Sequence, residues 1–237
     1  MMSLLHNCEA FGDKVPKSLE SVYHKLIRTA LRVRTNTPKL LLYVESGLLP
    51  IKALIEARQY KFFTRFQKSL DPDADRFIVF NKLVQNPSRY LKHYLTLHAK
   101  YSCHRDIYRS YINDVKSNIR KQASKSSGGT RYKTYISINP NLEETPFIQC
   151  MHPFSADIVR FRLGSHSLPI EKGRWSRLER EDRLCNVCGV VGDEHHIIYE
   201  CSQIFRSDLS LSNDISCIWK EEDVFRLFGR IRETDYL

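Results

Sequence analysis

Cys185, Cys188, His196 and Cys201 lie within seventeen residues and together offer three sulfurs and one imidazole. That donor set matches the softness of zinc, and the spacing reads Cys-X2-Cys-X7-His-X4-Cys. Two thiolates two residues apart can reach one ion from a tight backbone knuckle. Gly189 follows directly and can take the positive φ that such a turn asks for. Four protein ligands complete a tetrahedron and leave no position for an activated water, so the expectation is a structural zinc site.

His195 competes with His196 for the fourth position. The Ile197-Ile198-Tyr199 run favours His196, because it reads as the first turn of a helix on which His196 and Cys201 share a side. Cys217 is an alternative ligand. Asp193 and Glu194 either orient the histidine from behind the metal or stand solvated in the turn, and solvation is the preferred reading. His93, His98, His104 and His166 have no recognisable nucleophile or paired carboxylates at diagnostic spacing, so no catalytic residue is expected.

The 237 residues are 42% hydrophobic, enough for one or two domains with real cores. Lysine and arginine number 37 against 27 acids, a formal charge of +10 that favours a polyanionic partner. The seven cysteines are an odd number, and Cys8, Cys103, Cys150 and Cys217 stand alone, which suits a metal in a reducing compartment better than a disulfide framework. The N-terminus lacks a secretory signal, and no apolar run is long enough to span a membrane. The expectation is therefore an intracellular chain, nuclear or cytoplasmic, with no membrane partner.

Two stretches concentrate the positive charge. Between Lys100 and Lys133, nine basic residues, among them Lys116, Arg120 and Lys121, stand against Asp106 and Asp114. Tyrosines interleave with them, and cations beside aromatic rings suit phosphate contact with base stacking. The second stretch, Arg160, Arg162, Lys172, Arg174, Arg177, Arg180 and Arg183 with Trp175, leads into the cysteines. RNA, DNA or both are the expected partners. A solvated helix face with tyrosines in the core is the bland alternative for any single residue.

Helical periodicity must position these groups. Leu19, Val22, Tyr23, Leu26, Ile27, Ala30 and Leu31 form one stripe, Leu40 to Glu45 a second helix ended by Gly47, and Ile51 to Phe66 a third. Asp71-Pro72 closes the third before the apolar run Phe77 to Val84. Tyr90 to Ala99 and Ile107 to Ile119 also read as helices. Beyond them, Tyr132 to Ile138 alternates like an extended segment, Phe154 to Leu163 reads as helix, and Val224 to Ile231 closes the chain. The fold class is mainly α, a helical bundle followed by a small zinc-stabilised CCHC segment. The expected domains are 1–123, helical, and 132–237, zinc-binding, joined by a polar, glycine-containing linker at 124–131.

The run from Arg160 to Glu171, then Gly173-Arg174-Trp175, Arg183 to Cys188, Gly192 to His196 and Cys201, resembles the C-terminal region of non-LTR retrotransposon reverse transcriptase polyproteins. That resemblance assigns the ligand histidine to His196. It also likens the helical half, Ser18 to Ala123, to the segment joining polymerase to zinc region. It implies binding of template RNA or target DNA within a larger polypeptide. No Tyr/Phe-X-Asp-Asp motif is present to hold catalytic metals, and 36 residues follow Cys201, too few for a nuclease domain. The expectation is a polymerase-less fragment or domesticated remnant; a zinc-stapled protein-interaction module, docking through Phe62, Phe63 and Phe66, is the rival.

Overall fold

A computed structural model describes residues 15–68, 75–101, 107–126, 130–145, 147, 152–204, 206–220, 222–234 and 236. Cys8, Cys103, His104, Arg105, Asp106, Cys150, the Asp71-Pro72 pair and residues 127–129 of the expected linker lie outside these. Among the described residues the fold is mainly helical, and the β structure is an isolated antiparallel bridge between Leu184 and Val191. No described helix is long and apolar enough to cross a membrane. Two compact units form, each discontinuous in sequence. One joins the stretch ending at His24 to Leu49–Ile119, and the other joins Lys25–Leu48 to Arg120–Leu237.

Helix α1 (Lys17–Ala30) buries a narrower stripe than its periodicity predicts. Tyr23, His24, Ile27 and Leu31 are buried, whereas Val22 and Leu26 stay about half exposed. Helix α2 (Lys39–Ser46) ends as expected at Gly47, whose φ of +64° lets its N–H turn back to the Val44 carbonyl.

In the first unit, α3 (Ile51–Lys68), α4 (Asp75–Gln85), α5 (Arg89–Tyr101) and the start of α6 (Ile107–Lys125) supply the core. Leu49, Ala53, Ala57, Tyr101 and Tyr111 form one buried cluster, and Tyr60, Leu91 and Tyr94 a second. Small residues on α3 leave room for the tyrosine rings. The hydroxyls find carboxylates: Tyr111 donates to Glu56 at 2.5 Å and Tyr101 to Asp114 at 2.7 Å.

In the second unit, α6 runs on to Lys125 and α7 covers Thr130–Ile138, so helix occupies both ends of the 124–131 stretch. The segment from Tyr132 to Ile138 is thus helical and not extended. Its β-branched residues favour a strand, but burial of Tyr135 and Ile138 three residues apart fits one helical face, and tertiary packing outweighs propensity. Asn139 ends the helix by accepting the Glu143 N–H and donating to the Glu143 carbonyl. Helices α8 (Ser155–Arg162), α9 (Pro169–Trp175) and α10 (Asp223–Arg232) follow. In α10, Val224, Leu227, Phe228 and Ile231 are wholly buried at three- and four-residue steps.

A buried ion pair organises this unit. Glu45 on α2 is fully buried and takes the Arg162 guanidinium on both oxygens, at 2.7 and 3.2 Å, while Tyr135 donates its hydroxyl at 2.6 Å. Burial pulls the Arg162 pKa down, but Glu45 more than offsets this and the net shift is upward. Removing one charge from such a pair strands the other in an apolar interior. Glu45→Gln should therefore lower the unfolding free energy by about 3 kcal/mol, read as an earlier denaturant midpoint at unchanged slope. Tyr135→Phe removes a neutral donor and should cost about 1–2 kcal/mol.

Candidate metal centre

The cysteine knuckle is a short hairpin. Cys185 donates its N–H to the Val190 carbonyl at 2.7 Å and Gly192 to Arg183 at 2.9 Å, flanking the Leu184–Val191 bridge. At its tip the Gly189 N–H reaches the Cys185 carbonyl at 2.9 Å with φ at +69°. A Cβ on Gly189 would meet nothing within 4 Å, so glycine is needed there for backbone freedom and not for space. Gly192 answers a different demand. A Cβ there would come within 2.6 Å of Pro169, against which the hairpin is seated.

His196 and Cys201 arrive on a helical turn of unusual width. Residues His196–Glu200 form a π-turn, and the Cys201 N–H bonds the His196 carbonyl, five residues back, at 2.8 Å. In an ordinary α-helix two residues five apart point about 140° away from each other. The wider turn brings the imidazole and the sulfur to the same side. Asp193 starts it by accepting the His196 N–H at 3.1 Å, and Arg206 finishes it. The Arg206 guanidinium donates to the carbonyls of Ile197, Ile198, Cys201 and Ile204 at 2.5 to 2.8 Å. Carbonyls at a helix end that would otherwise lack partners are satisfied by this one side chain. The sequence signals its role only as a basic residue five positions past Cys201.

Cys185, Cys188, His196 and Cys201 place one ligand atom each within 4.8 Å of one another, a grouping that could hold a metal ion. The Cys201 sulfur is 3.9 Å from those of Cys185 and Cys188. Cys185, His196 and Cys201 are almost completely buried. His196 Nε2 is buried without a hydrogen-bond partner, which fits a nitrogen whose partner is a cation. Its other nitrogen, Nδ1, lies 3.4 Å from Glu200, a carboxylate placed to fix the ring.

Other expected participants fall elsewhere. His195 is exposed and pairs with the second Glu200 oxygen at 3.3 Å. Cys217 is exposed beside Asp214 and Ser216. The preferred reading of Asp193 and Glu194 as solvated is corrected for Glu194, which is buried against His166 at 3.0 Å, and Asp193 caps the π-turn and pairs with Arg180. Glu200 is the carboxylate that meets His196, and its place four residues beyond that histidine is the available clue.

The thiols are unequally poised. Burial opposes ionisation of Cys185, yet the Tyr236 hydroxyl, the N–H groups of Cys188 and Val187, and His196 together bring its pKa down to about 6. Ser202 lowers that of Cys188. Burial and the neighbouring Cys185 push Cys201 up to about 11. Because metal binding must displace protons from sulfur and imidazole, acidification should release the ion.

Purified chain should carry one metal ion per molecule, and Cys185→Ser or His196→Ala should abolish stoichiometric binding, whereas His195→Ala should retain it. Elemental analysis after gel filtration checks this, and equal loss in both histidine variants would overturn the assignment. Glu200→Gln should weaken binding by about tenfold. In comparisons with protein-family models, curated proteins and solved structures, nothing matches this chain.

Proposed function

We propose that the cluster holds one zinc ion as a structural centre, and that the unit carrying it binds nucleic acid as a polymerase-less, non-catalytic part of a retrotransposon-type reverse transcriptase polyprotein. Zinc is favoured by the three-sulfur, one-nitrogen donor set. The sulfur separations of 3.9 Å are close to the edge, about 3.8 Å, of a tetrahedron with zinc–sulfur bonds of about 2.3 Å. With four protein ligands the ion would serve folding and not Lewis-acid chemistry.

The observation that carries the nucleic-acid reading is a group of arginines gathered by Trp175 and Glu171: Arg34 on the indole, Arg131 and Arg174 on the carboxylate. The Arg34 guanidinium lies 3.7 Å over the indole, which remains about half exposed. Arg131 and Arg174 share the single buried carboxylate of Glu171, the former at 2.7 Å. Burial lowers the Arg34 pKa, and the charges of Arg160 and Arg131 lower it further against the opposing Glu171. Cations assembled at such electrostatic cost suit a polyanion. Lys172 and Arg177 are exposed on the same unit, as are Arg120 and Lys121; Arg160 is half-buried beside Asp157 at 3.5 Å. Lys116, half-buried, belongs to the other unit. Arg162 leaves the expected set, because its buried guanidinium is committed to Glu45 and offers no face to phosphate.

A second reading has its own support in the first unit, where Phe62, Ile78, Val79 and Leu83 are each about half exposed. Such residues suit docking of a protein partner. Salt distinguishes the two. Affinity for single-stranded RNA or DNA, measured by fluorescence anisotropy, should fall linearly with rising salt on logarithmic axes. Arg177→Ala should reduce that slope by about one, and Trp175→Ala should cost about 1–3 kcal/mol of binding. Absence of binding at low salt, or binding indifferent to salt, would sink the nucleic-acid reading.

A further inference from the structure

Tyr236 stands far from the cysteines in sequence and beside them in space. Its side chain is buried, and its hydroxyl oxygen lies 3.3 Å from Cys185 Sγ. The residue is pinned at its backbone. Its carbonyl accepts the Ser167 N–H at 3.0 Å, and its own N–H reaches Thr234 Oγ1, which in turn donates to the Ile231 carbonyl at 2.5 Å. The phenol is therefore held against the sulfur by the fold and does not merely drift onto it.

A thiolate bound to a cation keeps lone pairs that want donors, and Cys185 is 1% exposed, so water has little access to it. Cys188 finds Ser202, whose hydroxyl is at 3.3 Å and whose N–H is at 3.4 Å. For Cys185 the corresponding side-chain donor is Tyr236. A phenol carries its proton at neutral pH and can donate it to sulfur.

We propose that Tyr236 is a positioning residue of the metal centre, donating its hydroxyl to the metal-bound sulfur of Cys185 and holding the ion against release. This rests on the metal-binding reading of the four ligands. A hydrogen bond to a coordinating sulfur stabilises its charge and fixes its direction, and loss of such outer partners typically weakens metal binding by about 10- to 100-fold.

Cobalt(II) bound to the full chain makes the bond visible, because the sulfur-to-cobalt charge-transfer band responds to the electron density on sulfur. Tyr236→Phe, folded by circular dichroism, should move that band to lower energy and weaken cobalt at least about tenfold against a competing chelator. Replacing Tyr236 with a ring-fluorinated tyrosine, a stronger donor of the same shape, should move the band to higher energy. Tyr199→Phe is the control, since that hydroxyl serves the Ser212 carbonyl at 3.0 Å, and it should change neither readout. An unchanged band and affinity in Tyr236→Phe would overturn the role of Tyr236 while leaving the metal centre standing. Should Tyr236→Phe fail to fold, an unmoved band in the fluorinated protein decides against the proposal. Wild-type chain without any cysteine-dependent cobalt band would remove the metal reading and this inference with it.

Discussion

Three thiols gathered with an imidazole inside 4.8 Å cannot all ionise unaided. Ionising Cys185 makes ionising Cys201 harder, and the opposed shifts of these two groups express that conflict. A divalent cation at the centre would resolve it, because its charge would lie nearer to each sulfur than the neighbouring sulfurs do. The hairpin at 185–191, the π-turn at 196–200 and the Arg206 carbonyl clamp all hold these four groups together. The local fold is arranged around a conflict of charge that it does not itself neutralise.

The same economy of charge runs through the rest of that unit. Glu45 and Glu171 are both buried, and each serves more than one donor: Arg162 and Tyr135 for the first, Arg131 and Arg174 for the second. The two carboxylates divide the arginines by task. Arg162 is locked inside, while Arg131 and Arg174 stay nearer the surface at Glu171. Asp208 holds Arg226 and Arg230 of α10 in a comparable but exposed arrangement. A basic chain is thus less free with its cations than its composition suggests.

How much of this is legible in the chain depends on the range of the interaction. The three cysteines and the histidine fall within seventeen residues, so their spacing alone points to the cluster, and the choice of His196 over His195 follows from the helical run after it. The width of that turn is not legible, because it is set by Arg206 and by the demand that His196 and Cys201 face one centre. Most of the helices follow from periodicity, α10 most directly. The α7 segment does not, since its β-branched residues argue locally for a strand while Tyr135 and Ile138 answer to a distant core. Glu45 and Arg162 are 117 residues apart, and nothing near either residue announces the other.

The His-X4-Cys interval and the π-turn are one fact seen twice. A three-residue interval would let an ordinary α-turn set both side chains on one side, so the extra residue is tolerated only because the backbone widens to absorb it. Arg206 stabilises that widening through a planar fork of donors, a geometry that the single ammonium of lysine does not reproduce. Insertions and deletions in this interval are therefore coupled to the identity of a residue outside it. Length and side chain at this end of the centre must vary together.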